Sequence, residues 1–184
     1  MKQVVLKFGL ISGLILVAMT YTMMAMLGEG NDFEKGEAYG YLFSIAAYSM
    51  IFFGIRSYRD KISGGFINFN MGFRVGILIT LIASALYTIG WMVYFNFIDD
   101  SFIEKYSFYY IDKVSSSGKP AEEIKTEIRK FKENMADYRN PFIMAMYTFL
   151  EVFPIGLVVT ILCAFLMRKS PTQEVPGTPP PIVE

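Results

Sequence analysis

From Pro141 to Met167 the chain runs through 27 residues with one charged side chain, Glu151, before Arg168 and Lys169 close the run. At about 1.5 Å per helical residue such a segment reaches across the roughly 30 Å hydrocarbon core of a bilayer. A carboxyl at that depth costs several kcal/mol unless it is protonated, hydrogen-bonded or wet, so the fold has to supply it with company. Three residues later Pro154 removes the N–H that the Leu150 carbonyl would take in a regular helix. A helix kink is therefore expected at Pro154, with Gly156 loosening the next turn.

Three further uncharged runs have similar length: residues 8–27, 38–55 and 76–97. The first follows Lys2 and Lys7, is longer than a signal-peptide core of about 7–15 residues and lacks a small-residue cleavage site, so it reads as a retained helix. With 53% hydrophobic residues and a positive mean hydropathy, the expected fold class is an all-α membrane protein with four transmembrane helices occupying residues 1–169. After a Gly64-Gly65 turn, Phe66, Phe69, Phe73 and Gly76 share one helical face, which suggests an interfacial helix leading into the third crossing.

Residues 99–140 differ in kind, holding nine acids and eight bases. A Ser-Ser-Ser-Gly-Lys-Pro stretch divides them into two amphipathic patterns. Phe102, Tyr106 and Tyr109 share a face in the first, and Ile124, Ile128, Phe131 and Met135 form a stripe in the second. A helical hairpin outside the membrane, between helices three and four, is expected. Residues 170–184 contain five of the eight prolines and no apolar periodicity, and are expected to form a disordered proline-rich tail.

Charge near the membrane sets the orientation. Lys2, Lys7, Arg56, Arg59, Lys61, Arg74, Arg168 and Lys169 fall on one side, opposed there only by Asp60, while an acidic 28–37 connection and the charge-balanced 99–140 segment fall on the other. The positive-inside rule places both termini in the cytoplasm and the hairpin on the outer face. Arg56, Arg59, Lys61 and Arg74 are the candidate lipid-headgroup contacts, at about 1 kcal/mol per charge.

Counting equal depths into each run surrounds Glu151 with a polar layer. Tyr21 with neighbouring Thr20 comes from the first helix, Tyr48 from the second, and Tyr87 with Thr88 from the third. In one reading these hydroxyls satisfy a buried, protonated Glu151 and hold the helices in register; in the other Glu151 changes protonation during transport. Arg74 is excluded as counter-ion by about 18 Å of intervening helix. Gly9 with Gly13, and Gly72 with Gly76, are small-xxx-small pairs at the cytoplasmic ends, suited to close approach of helices one and three or to a homodimer face.

Other chemistry is poorly provided for. There is no histidine and a single cysteine, Cys163, which removes histidine-dependent nucleophile pairs, thiolate clusters and histidine-ligated metals, and no phosphate-binding glycine loop is present. No cofactor or metal is expected, and the zero formal net charge gives no footprint for a nucleic acid.

Four stretches together, residues 6–13, 54–60, 73–80 and 151–157, resemble the domain-of-unknown-function family 4199 of small bacterial integral membrane proteins. The resemblance covers residues 1–169 and implies an inner-membrane protein of about four helices, with no activity or substrate attached. The reading favoured at this level is a non-enzymatic scaffold, assembly or regulatory protein, partnered by the lipid bilayer and by a second copy or another membrane protein. The alternative is a small solute or proton-coupled transporter that uses Glu151.

Overall fold

The computed structural model describes residues 1–27, 33–98 and 101–169. Every regular element among them is helical: α1 (Lys2–Leu27), α2 (Phe33–Lys61), α3 (Phe69–Phe97), α4 (Phe102–Ser115), α5 (Ala121–Tyr138) and α6 (Pro141–Met167). The 170–184 tail and residues 28–32 of the acidic connection lie outside the described residues. Helices α1, α3 and α6 are each long and apolar enough to cross a membrane. Helix α2 is 29 residues long, includes the uncharged 38–55 run and packs against the other three.

The ends of these helices follow from local chemistry. Asn140 accepts a hydrogen bond from the Phe142 N–H at 3.0 Å, and Pro141 follows as the first helical residue, where its missing N–H costs nothing. At the other end of the molecule α2 terminates in a turn through Gly64 and Gly65, whose φ angles of 63° and 87° disfavour side-chain-bearing residues. Asn68 then accepts from the Met71 N–H at 2.9 Å and starts α3. The separate interfacial helix expected ahead of the third crossing does not form. No helix breaker separates Phe69 from the apolar run, and Gly72 and Gly76 are kept helical by the neighbours packed onto them, so the segment becomes the first turns of α3.

Helix α3 is central. It takes α1 on one side and α6 on another, while α2 touches all three. Against α6 the two chains run antiparallel and present small residues every fourth position. A Cβ built on Gly72 would meet Ala164 at 3.4 Å, and one on Gly76 would meet Thr160 Cγ2 at 2.7 Å. Thr80 donates from its hydroxyl toward the Gly76 and Gly156 carbonyls at 3.1 and 3.3 Å and shares a 2.9 Å bond with the Thr160 hydroxyl. Rows spaced by four on both helices are the ridges-into-grooves arrangement that lets backbones approach closely. Gly9 and Gly13 of α1 do seat against α3, facing Ile82 and Leu86, each at 2.9 Å from a built Cβ. Their expected counterparts do not meet them. Gly72 and Gly76 face α6 instead, with Ile51 and Ile55 of α2 also near Gly76.

Helices α4 and α5 pack on each other through aromatic rings. Tyr110 stacks on Phe131 at 4.1 Å between centroids, and Tyr106 lies 6.0 Å from the same ring. Phe131 is the buried member of the stripe read from the sequence. The short turn between the helices uses Gly118 at φ 72°.

Candidate functional site

The four long helices separate toward the end where α4 and α5 sit, leaving a cavity of about 360 Å³. Leu16, Thr20, Met23 and Met24 of α1 form one wall; Gly40, Tyr41, Phe43 and Ser44 of α2 form another. Tyr87 and Trp91 come from α3, while Glu151, Val152 and Ile155 come from α6. Phe102 and Tyr106 of α4 and Tyr138 of α5 close the end. Among the described residues lining the cavity, Glu151 is the one formally charged side chain.

The walls are braced by hydrogen bonds and ring contacts. Trp91 donates its Nε1–H to the Tyr138 hydroxyl at 2.7 Å, and that hydroxyl lies 3.4 Å from Thr148 Oγ1. The Trp91 ring stands edge-on to Phe102 at 5.1 Å, and Phe102 stacks on Tyr106 at 5.8 Å. Thr20 of α1 and Tyr87 of α3 both line the cavity beside the acid, and these two walls are tied together by the Tyr21 hydroxyl, which donates to the Gly90 carbonyl. The Glu151 carboxylate is close enough to act electrostatically on both the Tyr87 and Tyr138 phenols. Burial holds the Tyr138 phenol above the usual tyrosine range against its hydrogen bonds with Thr148 and Trp91, and the negative charge of Glu151 adds to the rise.

The expected polar layer is thus rearranged. Tyr87 lines the cavity with Glu151, but Tyr48 is fully buried one level away, its hydroxyl 2.8 Å from Ser84 Oγ. Tyr21 donates to the Gly90 carbonyl at 2.7 Å, and Thr88 donates within α3 to the Ser84 carbonyl at 2.9 Å. Glu151 itself is not enclosed in the helix packing; it stands exposed on the cavity wall. The equal-depth count fails in α2 because that helix begins at Phe33, five residues before the uncharged run. Counting from residue 38 therefore lands about 7.5 Å too deep, and the α2 hydroxyl-bearing residues at the cavity are Tyr41 and Ser44 rather than Tyr48.

Helix α6 continues without interruption through Pro154. Gly156 is a packing seat: a Cβ there would meet Thr80 Cγ2 at 2.5 Å and the Tyr48 ring at 2.8 Å. Trp91, Tyr138 and Ser44 are site residues that the sequence reading misses. Tyr138 had a signal, since the Ile124, Ile128, Phe131, Met135 stripe extended by one step reaches it.

The basic residues gather at the opposite end. Arg56 and Lys61 of α2 and Arg74 of α3 are exposed there, while Arg59 bonds Asp60 at 2.7 Å and reaches Met167 Sδ at 3.9 Å. Lys169 exchanges both backbone hydrogen bonds with Ile67, which fastens the end of α6 to the turn before α3.

A family model described as protein of unknown function, DUF4199, matches residues 7–169. The chain belongs to the DUF4199 family. The match takes in every helix that lines the cavity as well as the basic end, so both features lie within the family's own span. Searches of curated proteins and of solved structures give no match.

Proposed function

We propose that this DUF4199 member is a non-enzymatic, four-crossing protein of a bacterial inner membrane that binds a small solute in the Glu151 cavity and exchanges a proton with it during carriage. Helix α2 serves as the remaining crossing, both termini lie on the basic, cytoplasmic side, and α4 with α5 forms the outer hairpin. The observation that carries the reading is the position of Glu151: an acid on the wall of a cavity, within a helix long and apolar enough to cross a membrane, rather than one sealed between helices. Acids so placed mark substrate and proton paths, because their ionisation can be coupled to what enters beside them. A scaffolding role, which the sequence favours, makes no use of such a cavity.

The experiment is flux in liposomes carrying a pH-sensitive dye, under an imposed proton gradient, across a broad solute panel. One or more solutes should drive proton movement in the wild-type protein, and Glu151→Gln should abolish it while leaving the protein folded. Wild-type flux that survives Glu151→Gln overturns the proposal, as does the absence of flux across the panel.

A further inference from the structure

Resting on that reading of the cavity as the solute site, we infer that its occupant is a lipid-like amphiphile taken from the bilayer, with its polar end in the cavity and its chain in a seam between α2 and α6. Where the cavity is closed and where it is open carry this. Toward the basic end it meets packed protein: Tyr48 is fully buried, its hydroxyl 2.8 Å from Ser84 Oγ and its ring 2.8 Å from a Cβ built on Gly156. Toward the hairpin it meets Phe102 and Tyr106 of α4 and Tyr138 of α5. That leaves the side.

Among the described residues lining the cavity, the two that are exposed are Tyr41 of α2 and Glu151 of α6. Each stands at the border of an outward face. On α6, Glu151 shares its face at helical spacing with Tyr147, Pro154 and Val158, all exposed, whereas the adjacent Val152 is buried. On α2, Tyr41 shares its face with Ile45 and adjoins Leu42, and all three are more than half exposed. On helices that cross a bilayer such faces meet lipid chains, so the opening borders hydrocarbon. Deeper in, the same two helices close on each other where Gly156 seats Tyr48, and the seam is a wedge that widens toward α4 and α5.

The size and lining of the cavity fit the same occupant. Hydroxyls of Thr20, Ser44, Tyr87 and Tyr138 are set there among methionine and aliphatic side chains. Its volume of about 360 Å³ is near the low end of the roughly 300–1,000 Å³ of ligand pockets, enough for a polar end but not for a long chain as well. A water-soluble solute would have to pass through hydrocarbon to reach the opening; an amphiphile is already beside it.

The full chain is placed in nanodiscs doped with a monoacylglycerol, a phosphatidylglycerol or a phosphatidylcholine that carries a diazirine near its polar end, each in a bulk lipid of another headgroup. After irradiation the linked residues are mapped by mass spectrometry, with a water-soluble diazirine sugar as the parallel probe. At least one amphiphile should label Thr20 and Tyr87, on the half-buried α1 and α3 wall, and excess of the same unlabelled amphiphile should compete; the sugar should not label there. A Cβ built on Gly40 meets nothing within 4 Å, so Gly40→Leu fills the cavity without a clash at its first carbon. It should cut labelling of that wall roughly tenfold and leave labelling of the outward-facing Leu162 unchanged.

Labelling confined to outward faces for every amphiphile overturns the assignment, as does wall labelling that excess amphiphile does not reduce, or wall labelling by the sugar. These outcomes are read on the wild-type protein and stand even where Gly40→Leu does not fold; a folded Gly40→Leu protein labelled like wild type overturns it too. Proton-coupled flux of a water-soluble solute that requires Glu151, without labelling of the wall, overturns the amphiphile while leaving carriage intact. Competed labelling without proton-coupled flux does the reverse.

Discussion

At the residue scale, Tyr138 is the side chain on which the cavity's end depends. Its hydroxyl accepts the Trp91 N–H at 2.7 Å, and Trp91 is only 8% exposed. Tyr138→Phe leaves that donor without the oxygen and should lower stability by about 1–3 kcal/mol, read as a drop in the thermal midpoint in detergent together with altered Trp91 emission. The same phenol gives a pH signature. Its folded pKa is raised by burial and by Glu151, so the folded state holds the proton more tightly than the unfolded chain. The stability it contributes is complete below the unfolded value of about 10 and is lost as pH rises through the folded value. Wild type should accordingly lose stability more steeply than Tyr138→Phe above pH of about 10. Parallel curves for the two proteins would show that Tyr138 does not titrate as described. What the sequence discloses at this scale is uneven: Glu151 stands out because charge is rare in such a run, whereas nothing in periodicity joins Trp91 to Tyr138, whose contact depends on where α5 lands.

At the element scale, the four long helices are readable from uncharged run length, a local property, although α1, α2 and α3 begin five to seven residues before their uncharged runs. The pairing of faces is not. Gly9 with Gly13 and Gly72 with Gly76 look equivalent in sequence, yet the first pair faces α3 and the second faces α6. The distinguishing signal is the continuation of the second pair through Thr80, Ser84 and Thr88, a small-residue row about three turns longer than a dimer motif and matched on α6 by Gly156, Thr160 and Ala164. Such a row carries close packing only where the partner is equally small, which makes its glycines testable. Gly156→Ala drives a methyl into Thr80 and Tyr48 and should destabilise by about 1–3 kcal/mol. Gly40→Ala, with nothing within 4 Å of the added carbon, should instead gain about 0.5–1 kcal/mol from helix propensity. Thermal midpoints in one detergent should rank Gly40→Ala above wild type and wild type above Gly156→Ala. A Gly156→Ala protein as stable as wild type would mean that α3 and α6 are not packed at this distance.

At the scale of the whole molecule, the two ends differ in chemistry, and this difference governs how the cavity faces the membrane's two sides. One end gathers Arg56, Arg59, Lys61, Arg74, Arg168 and Lys169, with Asp60 paired to Arg59; the other carries α4 and α5, where Lys119 pairs with Glu127 and Lys125 with Glu122. Uncompensated lysine and arginine beside crossings resist export, whereas paired charges on a segment outside the membrane do not set orientation. The proposed orientation, with the basic end in the cytoplasm, puts the cavity, which lies toward α4 and α5, in the outer half of the bilayer. A solute would then meet Glu151 from outside, with the tight α3 and α6 row between it and the cytoplasm. Cysteine labelling decides this directly, because the chain's only cysteine, Cys163, is buried in the helix packing and contributes little background. Ser116→Cys, exposed between α4 and α5, should react with a membrane-impermeant maleimide in cells whose inner membrane is intact. Lys61→Cys, exposed at the basic end, should react only after that membrane is permeabilised. The opposite pattern would place the cavity mouth in the cytoplasm and make Glu151 a site loaded from inside the cell.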